Sequence, residues 1–287
     1  MRILIILLFC FFPLCGQDST KTAAEKSQEL WQKLIAEKSA GKSLVDLTAE
    51  LLGVKPLEVD TTSGYIKAIK KCGQAEYEKY LRQLRLYNRI WAVLIIESLT
   101  DISEDDKLQI FVDAFVRECV SPIDKSIIGG QRADHRMKER LIMAIFRYHH
   151  TDKILLVLKE KYKIAKGEVL KYLNCLMAKC GDNTHNKELK KYLQKDKDPL
   201  IRGLAAEGLG VVKDTTAIEL LKRAMQDTTC YYEEAWLFTD LQDQFPRNRR
   251  YYVRNQAASA LKELGIPVEY RYSSEGIWEP YIVETKE

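Results

Sequence analysis

The chain has 287 residues, of which 46% are hydrophobic and 30% charged, and its formal net charge is +4. That apolar share is enough to bury a core and excludes a chain that stays unfolded for want of hydrophobic residues. The small net charge excludes a uniformly polycationic protein, because the excess is local: residues 151 to 200 hold 12 Lys against 7 Asp plus Glu.

At the start, Met1-Arg2 precedes an apolar run from Ile3 to Leu14, followed by Cys15-Gly16-Gln17. A charged start, a short greasy centre and a small-residue exit are the parts of a secretory signal. The run is well short of the roughly 20 residues that a transmembrane helix needs. Residues 1–16 are therefore expected to be a signal peptide, with the chain exported as a periplasmic or extracellular, secreted protein. Cys15 behind this run also resembles the bacterial lipoprotein signal, which implies lipid anchoring at Cys15 as the alternative. Beyond the signal, Cys72, Cys119, Cys175, Cys180 and Cys230 remain, an odd number that does not close a disulfide framework. Cys175 and Cys180 would sit about 140° apart around one helix, so they are expected to stay unbridged and to pack as small hydrophobes.

Residues 17–130 read as a helical N-terminal region, with predicted helices at Ala24–Ala36, Ser43–Leu52, Gln74–Tyr87, Ile90–Leu99 and Asp105–Cys119. No fixed register runs through them, so they are either diverged repeats or a helical cap over an apolar end. Gly129-Gly130 marks a loop. From 131 to 265 the apolar pattern recurs. Met137, Val169 and Ile201 stand 32 residues apart, and Val253 follows after 52, so an insertion at 228–250 separates the third unit from the fourth.

The third unit shows the logic most clearly. Asp198-Pro199 supplies a cap and a first turn, after which Ile201, Leu204, Ala205, Gly208, Leu209 and Val212 recur at helical spacing. Ala205, Ala206, Gly208 and Gly210 keep that helix thin enough for a neighbour to approach closely. Asp214 opens a second helix with the stripe Ile218, Leu221 and Met225, so one unit is a helical hairpin. Leu141, Ala144, Ile145 and Tyr148 with Ile154 and Val157 make the first unit. Leu173, Leu176, Met177 and Cys180 with Leu189 and Leu193 make the second. The fourth, Val253, Ala257, Ala260, Leu261 and Leu264, stops at Gly265 and Pro267 and lacks a regular partner helix. The aromatic tail 266–287, with Tyr270, Trp278 and Tyr281, is expected to close that unit's open face.

Two of these segments carry a motif. Ile201-Arg202, Ala205-Ala206, Leu209-Gly210, Val212 and Asp214 form one copy, and Val253-Arg254, Ala257-Ala258, Ala260-Leu261 and Leu264-Gly265 the other. The motif resembles the HEAT-like repeats of the phycobilisome-lyase type. Lys138 stands for the motif's Arg in the first unit, Leu170 replaces it in the second, and Gly181-Asp182 keeps the ending. The resemblance implies an all-α, α-α superhelix, an armadillo-like helical solenoid that binds far more often than it catalyses. It also implies a polar ladder between units, here through Arg202 with Asp182 or Asp214.

For chemistry the sequence offers little. His149-His150 lies far from His135 and His185, and no cysteine pair has finger-like spacing, so no metal site is expected. No phosphate loop, nucleophile elbow or His-Glu-x-x-His helix is present, so neither catalytic residues nor a cofactor are assigned. A lyase-like enzyme is only what the family name implies. The insertion is the expected contact site, because insertions into repeats fall on one edge of the array. Its aromatic and arginine residues Tyr231, Tyr232, Trp236, Phe238, Arg247, Arg249 and Arg250 are the types that dominate interface energies. The bland alternative has Trp236, Phe238 and Leu241 in an extra helix packed on the array. Arg247 to Arg254 with interleaved tyrosines, like the lysine-rich helix face, would also suit a polyanion. Export disfavours nucleic acid and leaves an acidic glycan, a lipid headgroup or an acidic protein loop. The expected function is an exported scaffold for protein binding, with polyanion or envelope-surface binding as the alternative.

Overall fold

The structure, a computed structural model, describes residues 103–121, 127–128, 131–147, 150–232, 249–273 and 278–283, with Arg89, Ile90, Val93, Ile96 and Glu97. The chain divides into two units, Met1–Ser103 and Glu104–Glu287. In the first, those five positions are helical, and Val93 and Ile96 are buried. The signal segment and the predicted helices Ala24–Ala36, Ser43–Leu52 and Gln74–Tyr87 lie outside the described residues.

The second unit contains α1 (Glu104–Val120), α2 (Ala133–Arg147), α3 (Thr151–Tyr162), α4 (Gly167–Lys179), α5 (Asn186–Lys195), α6 (Pro199–Val211), α7 (Ile218–Ala224) and α8 (Tyr252–Glu263). Three two-stranded antiparallel sheets join them: β1 (Ile127–Ile128) with β2 (Gln131–Arg132), β3 (Tyr231–Tyr232) with β4 (Arg249–Arg250), and β5 (Val268–Tyr272) with β6 (Trp278–Ile282). The described residues are mostly helical, as an all-α reading requires, and no helix among them is long and apolar enough to cross a membrane.

Helix α6 forms where expected. Asp198 caps it by accepting from the Leu200 amide at 2.9 Å, and Pro199 occupies the first turn, where its missing N–H costs nothing. Its buried face, Leu200, Ile201, Leu204, Ala205, Ala206 and Leu209, packs against α4, α5 and α8. Each large aliphatic side chain so buried contributes about 1.5–3 kcal/mol. The four key positions Met137, Val169, Ile201 and Val253 are all buried. Around α2, however, the neighbours differ. Helix α2 packs chiefly on α1, and α1 also meets α4, where Phe115 contacts Tyr172 edge-on at 5.5 Å. Residues ahead of position 131 therefore belong to the core of this unit.

Helix ends repeat a single device. After α4, Asp182 N–H donates to Met177 C=O at 3.1 Å and Gly181 N–H to Ala178 C=O at 2.8 Å, with Gly181 at a φ of 91°. After α6, Asp214 and Lys213 make the same two bonds to Leu209 and Gly210, but Lys213 takes the left-handed position at a φ of 56°. A side chain there costs about 1–2 kcal/mol. The Lys213–Glu263 pair at 2.7 Å is exposed on both sides and offsets little of this. Lys213→Gly is therefore expected to stabilise the unit by up to about 1 kcal/mol, measured as a higher urea midpoint at unchanged slope.

Past α8 the chain turns into strands, as the alternating valine and aromatic residues of Val-Glu-Tyr-Arg-Tyr dictate. The register pairs Val268 with Ile282 and Tyr270 with Pro280. Val283 N–H bonds to Pro267 C=O at 3.0 Å, which places Pro280 at a non-hydrogen-bonded position where its missing donor is not needed. Both strands pack on α8, so the tail meets the last helix, and it does so as a hairpin.

Candidate functional site

The expected contact residues of the insertion fall into two groups. Trp236, Phe238 and Arg247 lie outside the described residues, as does Leu241. For the others, β3 and β4 pair Tyr231 with Arg250 and Tyr232 with Arg249, which brings the two ends of the insertion together between α7 and α8. Arg250 is exposed, with its guanidinium 5.8 Å from the Tyr252 ring centre. Arg254, at the end of the arginine run, is structural. It donates to Asp227 C=O, pairs with Glu279 at 2.9 Å and lies 4.0 Å from the centre of the Tyr251 ring.

Ion pairs between successive elements recur, but not with the expected partners. Arg202 forks onto Asp227, Nε to Oδ2 at 3.0 Å and Nη2 to Oδ1 at 3.2 Å, and Nη1 donates to Asp196 C=O at 2.9 Å. It pairs with neither Asp182 nor Asp214. Those two carboxylates follow the first helix of their hairpins and face the preceding second helix, where Lys159 meets Asp182 at 3.0 Å and Lys190 meets Asp214 at 3.1 Å. Lys171 holds Asp196 at 2.9 Å, in the place that Arg202 and Asp227 take one hairpin later.

Burial opposes ionisation of Asp182, yet the Thr184 hydroxyl and amide and the Lys159 ammonium outweigh it and bring the carboxyl down to about 2. Asp214 is lowered against the same opposition by Thr216 and Lys190. Both groups bind protons less readily folded than unfolded, where an Asp titrates near about 3.9. The stability they contribute is thus complete above about pH 5 and lost as pH falls through the folded values. The urea midpoint is expected to drop between about pH 4 and about pH 2, with a shallower drop in Asp182→Asn.

A buried polar network that the sequence does not reveal joins β2, α2, α4 and the start of α6. Asp198 Oδ1 lies 3.0 Å from His135 Nε2, and Oδ2 accepts from the Tyr172 hydroxyl at 2.7 Å. His135 and Tyr172 are buried. Above the Tyr172 ring, at 4.9 Å from its centre, sits Lys138 Nζ, which also lies 3.5 Å from Asp134; Arg132 forks onto Asp134 at 2.9 and 3.0 Å. Burial works against the charge on Asp198. The His135 contact, the Tyr172 hydroxyl and the Leu200 amide nevertheless hold its carboxyl well below the usual carboxylate range. Burial pushes the Cys119 thiol up to about 12 and raises the Tyr172 hydroxyl, so neither is poised as a nucleophile or base at neutral pH. Only the Asp198-Pro199 cap was visible beforehand. The sequence marks His135 only as remote from His149-His150, and Tyr172 not at all.

The described cysteines are free thiols, including Cys175 and Cys180. Among the described residues no group of histidine, cysteine and carboxylate side chains could hold a metal ion.

The lysine-rich segment is mostly internally matched. Lys153, Lys159, Lys161, Lys163, Lys171, Lys179 and Lys190 all meet carboxylates. On α5, exposed Lys187, Lys191 and Lys195 have no carboxylate partner among the described residues and line up at four-residue spacing. Beside them a groove of about 370 Å³ opens between α5 and α7, with Leu193, Leu220 and Ala224 below and Gln194, Lys195 and Arg223 at its rim. In comparisons with known proteins, no family model matches the chain, and neither a curated protein nor a solved structure matches it.

Proposed function

We propose that the chain is an exported scaffold of HEAT-like repeats that holds another protein and carries out no catalysis. One observation carries this reading: the same contacts return one hairpin later, Lys159–Asp182 as Lys190–Asp214 and Lys171–Asp196 as Arg202–Asp227. Unrelated helical hairpins have no reason to share such pairs, whereas stacked copies of one unit do. The packing of α4, α6 and α8 in sequence, flanked by α5 and α7, supports a superhelical array. The Asp198 carboxylate is used in capping α6 and in accepting from Tyr172, which supports a structural role for it. The two ends of the insertion are paired as β3 and β4, and Arg250 there is exposed, which leaves the insertion as the proposed contact.

Crosslinking with mass spectrometry in the native envelope tests this. A recurrent partner linked to residues 228–250, and lost when Trp236, Arg249 and Arg250 are replaced together in a folded variant, is the expected result. Partners that all stay bound would refute the insertion as the contact. For export, mass spectrometry of the mature protein is expected to find Gln17 at the N-terminus; a diacylated Cys15 would make the protein lipid-anchored.

A second reading, polyanion or envelope-surface binding, is favoured by the unmatched Lys187, Lys191 and Lys195. It requires affinity for heparin or anionic vesicles to fall steeply as salt rises, and a flat response would exclude it.

A further inference from the structure

We propose that the groove between α5 and α7 docks an extended acidic peptide segment with one apolar anchor, supplied by the protein that the scaffold holds. The inference rests on the scaffold reading and assigns its partner a chemistry and a place. The groove's floor is apolar, Leu193, Leu220 and Ala224, and its volume of about 370 Å³ suits an aliphatic side chain with its flanking backbone. Its two carboxylates are already matched, Asp196 by Lys171 at 2.9 Å and Asp227 by Arg202. Lys195 and Arg223 on the rim have no such partner among the described residues, and Arg223 Nε reaches only the Glu219 carbonyl at 3.4 Å. An occupant must therefore bring negative charge to the rim and an apolar group to the floor.

Spacing selects the backbone. Residues four apart on a helix advance about 6 Å along its axis. Alternate side chains of an extended strand recur about every 6.6 Å on one face. Acidic residues at alternate positions thus match Lys187, Lys191 and Lys195 one for one, and the strand that they hold arrives at the groove beside Lys195. A lipid surface fits less well, because every exposed side chain of α5 is polar and none can enter a bilayer.

The test uses the full chain and a fluorescein-labelled peptide, Glu-Ser-Glu-Ser-Glu-Ser-Leu, together with its reversed sequence, followed by anisotropy. We expect one of the two to bind, at least tenfold more weakly after Lys195→Glu with Arg223→Glu, and several-fold more weakly when its leucine is replaced by serine. Lys195→Gln with Arg223→Gln should fall between, with circular dichroism and melting temperature unchanged in both variants. No binding, binding indifferent to the leucine, or binding indifferent to the substitutions overturns the proposal. So does binding only to heparin or to phosphatidylglycerol vesicles, which would favour the polyanion reading. If the native partner still crosslinks to residues 228–250 in the Lys195→Glu, Arg223→Glu variant with undiminished yield, the groove fails and the scaffold reading stands.

Discussion

Asp198→Ala is expected to lower the unfolding free energy of the Glu104–Glu287 unit by about 2–4 kcal/mol, because it breaks a buried hydrogen-bond network and removes a helix cap. The carboxylate accepts from the Tyr172 hydroxyl of α4 and the Leu200 amide of α6, and its Oδ1 lies 3.0 Å from His135 Nε2 of α2. Truncation leaves the Tyr172 hydroxyl buried without its acceptor, at about 1–3 kcal/mol, and takes the carboxylate away from His135. It also removes the cap of α6, worth about 1 kcal/mol. Simple addition would overstate the total, because the groups act on one atom cluster and relax together. Asp198→Asn keeps an acceptor for the amide but sets an NH2 where Oδ2 accepts from Tyr172, and should lose less, about 1–2 kcal/mol. Thermal unfolding by circular dichroism reads the difference, a fall of roughly 10 °C for alanine in a domain of this size. A loss under 1 kcal/mol for alanine would mean that Asp198 is only a helix cap.

The helices and hairpins were legible because their signals are local. Asp198-Pro199 starts α6, Gly181 and Gly265 end α4 and α8, and the apolar spacing keyed on Val169, Ile201 and Val253 marks buried faces. What escaped depends on pairs brought together from a distance. Nothing near His135 announces Asp198, since the contact forms only once α2 lies against the start of α6. Arg202 had two plausible aspartates by analogy, and the structure supplies a third, Asp227, because a carboxylate behind the second helix of a hairpin faces the first helix of that same hairpin. The tail was read by composition as a cover for α8. Its form as a hairpin is present in the alternation of Val268 to Tyr272, which composition alone does not use. Of the candidate site, the sequence named the insertion and the lysine-rich stretch. It could not separate the lysines already matched, such as Lys159 and Lys190, from Lys191 and Lys195, because matching depends on which aspartate each one meets.

Gly210→Leu is expected to be comparably damaging, about 3 kcal/mol or more, through overpacking. A Cβ at Gly210 would lie 2.6 Å from the Ala260 Cα, 2.7 Å from its Cβ and 3.4 Å from its carbonyl oxygen. Two of those atoms are backbone, so α8 must move away from α6 as a body. Helix propensity pulls the other way, since alanine gains about 1 kcal/mol over glycine within a helix. Gly210→Ala should therefore be net destabilising by a smaller margin, about 1–2 kcal/mol. Gly208 gives a contrast within the same helix. Its Cβ would meet the Ala178 methyl at 2.8 Å and backbone only at 3.5 Å, so Gly208→Ala should cost less than Gly210→Ala. Ala260→Gly in the Gly210→Ala background should recover only part of the loss, because the Ala260 Cα remains too close. Hydrogen exchange locates the damage: α8 should lose protection first, and the β5–β6 hairpin with it, since Arg254 ties that helix to Glu279. If Gly210→Leu left exchange in α8 unchanged, the close α6–α8 contact would be wrong, and with it the tight stacking that an array of repeats requires.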